Sequence, residues 1–160
     1  MSYNTTPSPA QQQQARALSE LIEIVGESAG FYREAAQATQ DPGLKTLFRG
    51  MAGRKTVLAD AMSRAIPPHI TARMAAVDDC PVAGTVRSLR ERLRALRNGR
   101  QAAYAERVRD IEDRQLKATL SIMDRDMPMR VKEVIRRHLR ALYQHQDLLD
   151  RGIAAHDRVA

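Results

Sequence analysis

Four histidines, His69, His138, His145 and His156, are the side chains of this chain best suited to hold a transition metal. A carboxylate-bridged metal pair inside a helical bundle needs oxygen and imidazole ligands converging at its middle. The usual set is a Glu from each of two helices and a Glu-x-x-His pair from each of two more. Here the positions three before the histidines are Ile66, Ile135, Leu142 and Ile153. The paired signature is absent, so the expected cofactor is none. A metal alternative, iron or manganese, has Glu112, His138 and His145 as its fallback ligands. His138 and His145 are two helical turns apart, roughly 10 Å, too far to chelate one ion within their own helix. Cys80 lies between acidic Asp79 and Pro81; the neighbouring charges disfavour a thiolate, which argues against a nucleophile. No glycine-rich phosphate loop is present. No catalytic residue is expected.

The second chemistry is electrostatic. The +7 net charge of the 160 residues falls entirely after residue 80. Arg87, Arg90, Arg94 and Arg97 fall on one helical stripe, with Arg92 and Arg100 nearby and only Glu91 opposed. Guanidinium forks suit phosphate, and such a stripe can follow a nucleic-acid backbone without reading bases. Aromatic residues for stacking on bases are scarce, with no Trp, two Phe and four Tyr. The competing reading is a solvated face, or one paired with the Glu20, Glu23, Glu27 and Glu34 strip of another helix or subunit.

These residues need elements to position them, and the sequence pattern is helical throughout. Residues 1–15, with Pro, Ser and a glutamine run, read as a polar tail, flexible up to about Pro9, whose glutamines can still begin a helix. Leu18, Ile22, Val25, Ala29, Tyr32 and Ala36 form one stripe of a helix ending near Thr39. Its glutamates lie opposite and are expected to face water. Asp41-Pro42 restarts the chain as N-cap and first helical residue. The second helix carries Leu44, Leu47, Phe48, Met51, Leu58 and Met62 and stops before Pro67-Pro68. Residues 66–83 read as a connection. A short helix spans Val86 to Leu96. A third long helix runs from Gln101 to about Asp124, with Val108, Ile111, Gln115, Thr119 and Ile122 inward. Asp126 and Pro128 repeat the restart, and a fourth helix carries Val131, Ile135, His138, Leu142, His145 and Leu149 to about Gly152, before a tail at 153–160. Ile24 and Phe31 fall outside the first helix's stripe, so the short helix or a second subunit is expected to cover them.

Two short turns make two antiparallel hairpins, and the link from about Ala65 to Arg100 is long enough to cross the whole length of a helix. The fold class is therefore all-α: two helix hairpins joined by a long crossover, the ferritin-like arrangement, over residues 16–152. In that topology the second and third long helices run parallel. Equal depths then bring Lys55, Glu112, Gln115 and His138 to one polar layer at mid-bundle. It reads either as a vestigial ligand pocket or as a buried ion pair that sets helix alignment. An ammonium at Lys55, where a carboxylate is needed, repels a metal cation.

Gly26-Glu27-Ser28-Ala29-Gly30-Phe31-Tyr32, Asp41 to Phe48 and His145-Gln146-Asp147 together resemble an uncharacterised bacterial branch of the ferritin-like four-helix-bundle superfamily, over residues 16–151. The resemblance implies the bundle fold, a bacterial protein and a stress setting. Its wider superfamily includes di-iron oxidases and iron stores. The expected role is non-enzymatic, in protein–protein interaction or scaffolding as a homodimer. The alternatives are a metal-binding oxidase or iron-handling protein, and sequence-independent nucleic-acid binding through the arginine stripe. A polar N-terminus without an apolar signal segment, and no run of ~20 apolar residues, give the expectation of a cytoplasmic protein that does not engage membranes.

Overall fold

The computed structural model of the chain describes residues 8–77 and 101–156. Five helices make up nearly all of it: α1 (Pro9–Ala38), α2 (Pro42–Ala65), α3 (Pro68–Val77), α4 (Gln101–Met123) and α5 (Met129–His156). The described residues contain no strand, and none of their helices is long and apolar enough to cross a membrane.

Local chemistry sets the boundaries. Ser8 caps α1 through a capping box: its hydroxyl accepts from the Gln11 amide at 3.3 Å, while the Gln11 side chain accepts from the Ser8 amide at 3.0 Å. The helix therefore begins at Pro9, and residues 9–15, read from sequence as tail, belong to it. Gln14 donates to the Asp126 carbonyl at 2.6 Å and Ala15 is fully buried, which ties this first stretch to the α4–α5 turn. Asp41 caps α2, its carboxylate accepting from the Leu44 amide at 2.7 Å, with Pro42 at the first helical position. At the far end α5 runs on to His156, past the expected stop at Gly152.

The expected connection at 66–83 contains a ten-residue helix instead. Pro67 ends α2, but Pro68 opens α3, because its fixed φ and missing N–H suit a first turn. The amides of Ile70 and Thr71 donate to the Pro67 carbonyl. Only Ile70 and Met74 mark its inner face, too short a stripe to show as a period. The expected 86–96 helix lies outside the described residues.

Packing follows the stripes. α1 packs against α2, α3 and α4; α2 also meets α5, and α4 meets α5. The apolar interior divides into two clusters. One joins Leu18 and Leu21 of α1, Leu58 and Met62 of α2, Ile122 of α4 and Val131 and Ile135 of α5. The other joins Phe31 and Tyr32, Phe48 and Met51, Val108 and Ile111, and Leu149. The start of α1 thus lies beside the end of α2, the end of α4 and the start of α5. It follows that α1 and α2 are antiparallel, α4 and α5 are antiparallel, and α2 and α4 run parallel. Phe31, expected on an outer edge, is buried with its ring edge-on to Tyr32 at 5.5 Å. Contact with three helices gives α1 a wider buried arc than the single stripe visible in its sequence.

Candidate functional site

Polar residues separate the two clusters. Lys55 of α2 and Glu112 and Gln115 of α4 are all at most 3% exposed. The Lys55 ammonium donates to Glu112 Oε2 and to Gln115 Oε1, each at 2.7 Å. The second carboxylate oxygen, Oε1, accepts from the Tyr32 hydroxyl at 2.6 Å. Thr119, one turn past Gln115, returns its hydroxyl to the Gln115 carbonyl at 2.7 Å. Spacing explains the assembly: Glu112, Gln115 and Thr119 at three- and four-residue intervals share one face of α4. That face meets α2 at Lys55 and α1 at Tyr32.

Electrostatically the pair is strained and matched at once. Burial pushes the Lys55 ammonium below its ordinary pKa, while the Glu112 carboxylate in direct contact pulls it back up. Glu112 is bonded through both oxygens to two different helices. The Gln115 side-chain nitrogen finds no partner among the described residues.

Sequence counting brings Lys55, Glu112 and Gln115 together as the structure does, but not His138. That residue is half-buried on a groove between α2 and α5 and makes no hydrogen bond to the layer. Burial, then the nearby Arg137 charge, lower its pKa. A depth counted back from the expected stop at Gly152 starts too early, because α5 runs on to His156, and Leu142 and Leu149 fall in the clusters on either side of the layer. The histidine nearest the Lys55 level is His145, two turns further on and 2% exposed, with its Nε2 against an Arg54 guanidinium nitrogen. Burial first, then the charges of Arg54 and Lys55, push its pKa down to about 4. Tyr32 is the member that sequence reasoning missed. It was assigned to the apolar stripe, yet a buried tyrosine hydroxyl needs a partner, and that requirement was the available signal.

Glu27 departs from its expected solvent-facing position. It is half-buried between α1 and α4, near Ile111 and Arg114, with Oε1 lacking a hydrogen-bond partner among the described residues. Burial and then Glu23 raise its pKa, against Arg114. Arg87, Arg90, Arg94 and Arg97, with Cys80, lie outside the described residues.

Around Glu112, the side chains of the described residues do not fit a di-iron centre. Among the described residues no three His, Cys, Asp or Glu side chains converge as a metal group, and an ammonium occupies one Glu112 oxygen at contact distance. His138 and His145 do not reach Glu112 to complete the fallback set.

Comparison with known protein families, with curated proteins and with solved structures gives no match.

Proposed function

We propose that this chain is a non-enzymatic helical bundle of ferritin-like topology, acting through protein–protein contacts as a scaffold, with a protein ion pair where a metal-dependent relative would hold its ions. The parallel course of α2 and α4, with residues 66–100 between them, supports the topology. The single observation that carries the functional reading is the Lys55 ammonium at 2.7 Å from both Glu112 and Gln115. A buried carboxylate neutralised by an ammonium and hydrogen-bonded by a tyrosine has no charge left to offer a divalent cation. Two apolar clusters then meet across a polar plane in which the buried Lys55 ammonium and the buried Glu112 carboxylate pair with each other, an arrangement that selects one alignment of the helices. The bacterial stress setting rests on the resemblance, the cytoplasmic location on the polar N-terminus and the absence of a long apolar run, and the homodimer on Ile24 beside the acidic face of α1.

The test is elemental analysis of the purified protein beside its mass by light scattering. The expected result is no stoichiometric iron or manganese, and a ferrous oxidation rate equal to that of buffer. About two metal ions per chain, lost on Glu112→Gln or His138→Ala, would overturn the reading.

A further inference from the structure

A groove between α2 and α5 encloses about 310 Å³. Its origin is readable in the sequence of α2. Gly50 and Gly53 stand on the seam, and a Cβ built at either meets nothing within 4 Å, so the missing side chains leave the space open. The walls beyond them are apolar: Leu58 from α2, Ala141 and Leu142 from α5. A volume of this size lies at the lower end of small-molecule pockets.

The charged groups on that groove are all cationic, and the two histidines beside them are lowered in pKa. Arg49, Arg54 and Lys55 line it from α2, His138 and His145 from α5, and no carboxylate lines it. Lys55 is neutralised by Glu112 on its inner side. Neither arginine has an ion-pair partner among the described residues.

His145 supplies a second, independent observation. An arginine can only donate, so the Arg54 contact requires a lone pair on His145 Nε2. The imidazole is then neutral with its proton on Nδ1. That nitrogen is buried and unpartnered among the described residues, in a side chain 2% exposed. An orphaned buried donor beside two guanidinium groups that have no ion-pair partner among the described residues suits an acceptor of negative charge.

We infer that the α2–α5 groove binds a small amphipathic carboxylate, its acid group held by Arg54, Arg49 and the His145 Nδ1–H, and its hydrocarbon body against Leu58 and Leu142. The site shares only Lys55 with the polar layer, takes none of its hold on the acid group from that residue, and stands whether or not Glu112 takes metal.

Calorimetric titration of the full chain with octanoate tests it, with octylammonium and inorganic phosphate as controls. Octanoate binds saturably, one per chain, in the sub-millimolar range. Octylammonium does not bind, because the head charge is reversed, and phosphate binds roughly tenfold more weakly or less, because it lacks the apolar body. Gly53→Leu fills the groove and abolishes octanoate binding while the helical circular dichroism is kept. Arg54→Gln weakens it roughly tenfold or more. In the wild type, nitrogen-labelled histidine reports directly: octanoate moves the His145 Nδ1 resonance and leaves His69 in place. Absence of saturable octanoate binding overturns the proposal. So does equal binding of octylammonium or phosphate, or undiminished affinity in Gly53→Leu. An unmoved His145 resonance at saturation does the same without relying on any variant. Metal content, which tests the proposed function, is read independently of every one of these outcomes.

Discussion

Replacing Lys55 by Met tests the polar layer most directly. The substitution keeps the stem length and removes the ammonium. In the wild type the Glu112 carboxylate has Lys55 at 2.7 Å on one oxygen and Tyr32 at 2.6 Å on the other. After Lys55→Met only the tyrosine remains, and a carboxylate 3% exposed is left without a counter-charge. Breaking a buried pair in this way costs about 3–5 kcal/mol. Domains of this size unfold with about 5–15 kcal/mol, so the variant loses a large share of its stability. A loss of that size lowers Tm by roughly 6–20 °C, taking ~2–4 °C per kcal/mol for a chain of this length. The double variant Lys55→Met, Glu112→Leu removes both charges. Both variants deprive Gln115 of its donor; beyond that the double variant loses only the Tyr32–Glu112 hydrogen bond, at about 1–3 kcal/mol, and leaves no buried charge, so it unfolds later than the single variant. Urea unfolding followed by circular dichroism measures both, with unchanged m-values showing that the same surface is exposed. The reasoning fails if Lys55→Met stays within 1 kcal/mol of wild type, or if the double variant is less stable than the single.

Tyr32→Phe removes one of the two Glu112 donors while keeping the ring against Phe48, and lowers stability by about 1–3 kcal/mol in the same urea assay. The folded state holds His145 neutral, with a pKa lowered to about 4 from 6.5. The unfolded chain therefore binds more protons as pH falls, and the stability present above pH 6.5 is lost between about 6.5 and 4. Allowing for solvent screening at exposed Arg54, the loss is about 2 kcal/mol, and a pH series of wild type against His145→Gln shows it as a steeper acid slope in the wild type. Asp41→Ala deletes the cap on the Leu44 amide and costs about 0.5–2 kcal/mol by thermal melting.

The elements were legible where local chemistry alone decides them. Asp41-Pro42 marks a restart through capping and a fixed proline φ, and Pro128 stands directly before α5, signals that need no distant partner. The α1 stripe of Leu18, Val25, Ala29, Tyr32 and Ala36 is buried as its period requires. Ser8-Pro9 carried the same kind of signal as Asp41-Pro42, with Gln11 three residues on, but the glutamine run beside it reads as polar tail. Pro67-Pro68 reads as a break because proline ends a helix more often than its neighbour begins one.

Levels across the helices are another matter. Counting from turns brought Lys55 to Glu112 and Gln115 because α2 and α4 run parallel and start and stop at similar depths. It failed for His138, because α5 runs past the expected stop at Gly152 and His145 stands at that height instead. The amino-acid sequence by itself determined which face of each helix is apolar, where the chain turns, and that a lysine stands among the inward positions of α2. Tertiary structure alone decided which carboxylate meets that lysine, that Tyr32 shares it, and that the gap left by Gly50 and Gly53 is walled by α5. The physical reason is range: capping and amphipathic period act within about four residues, whereas a buried contact depends on how far one rigid helix slides along another before its side chains interlock.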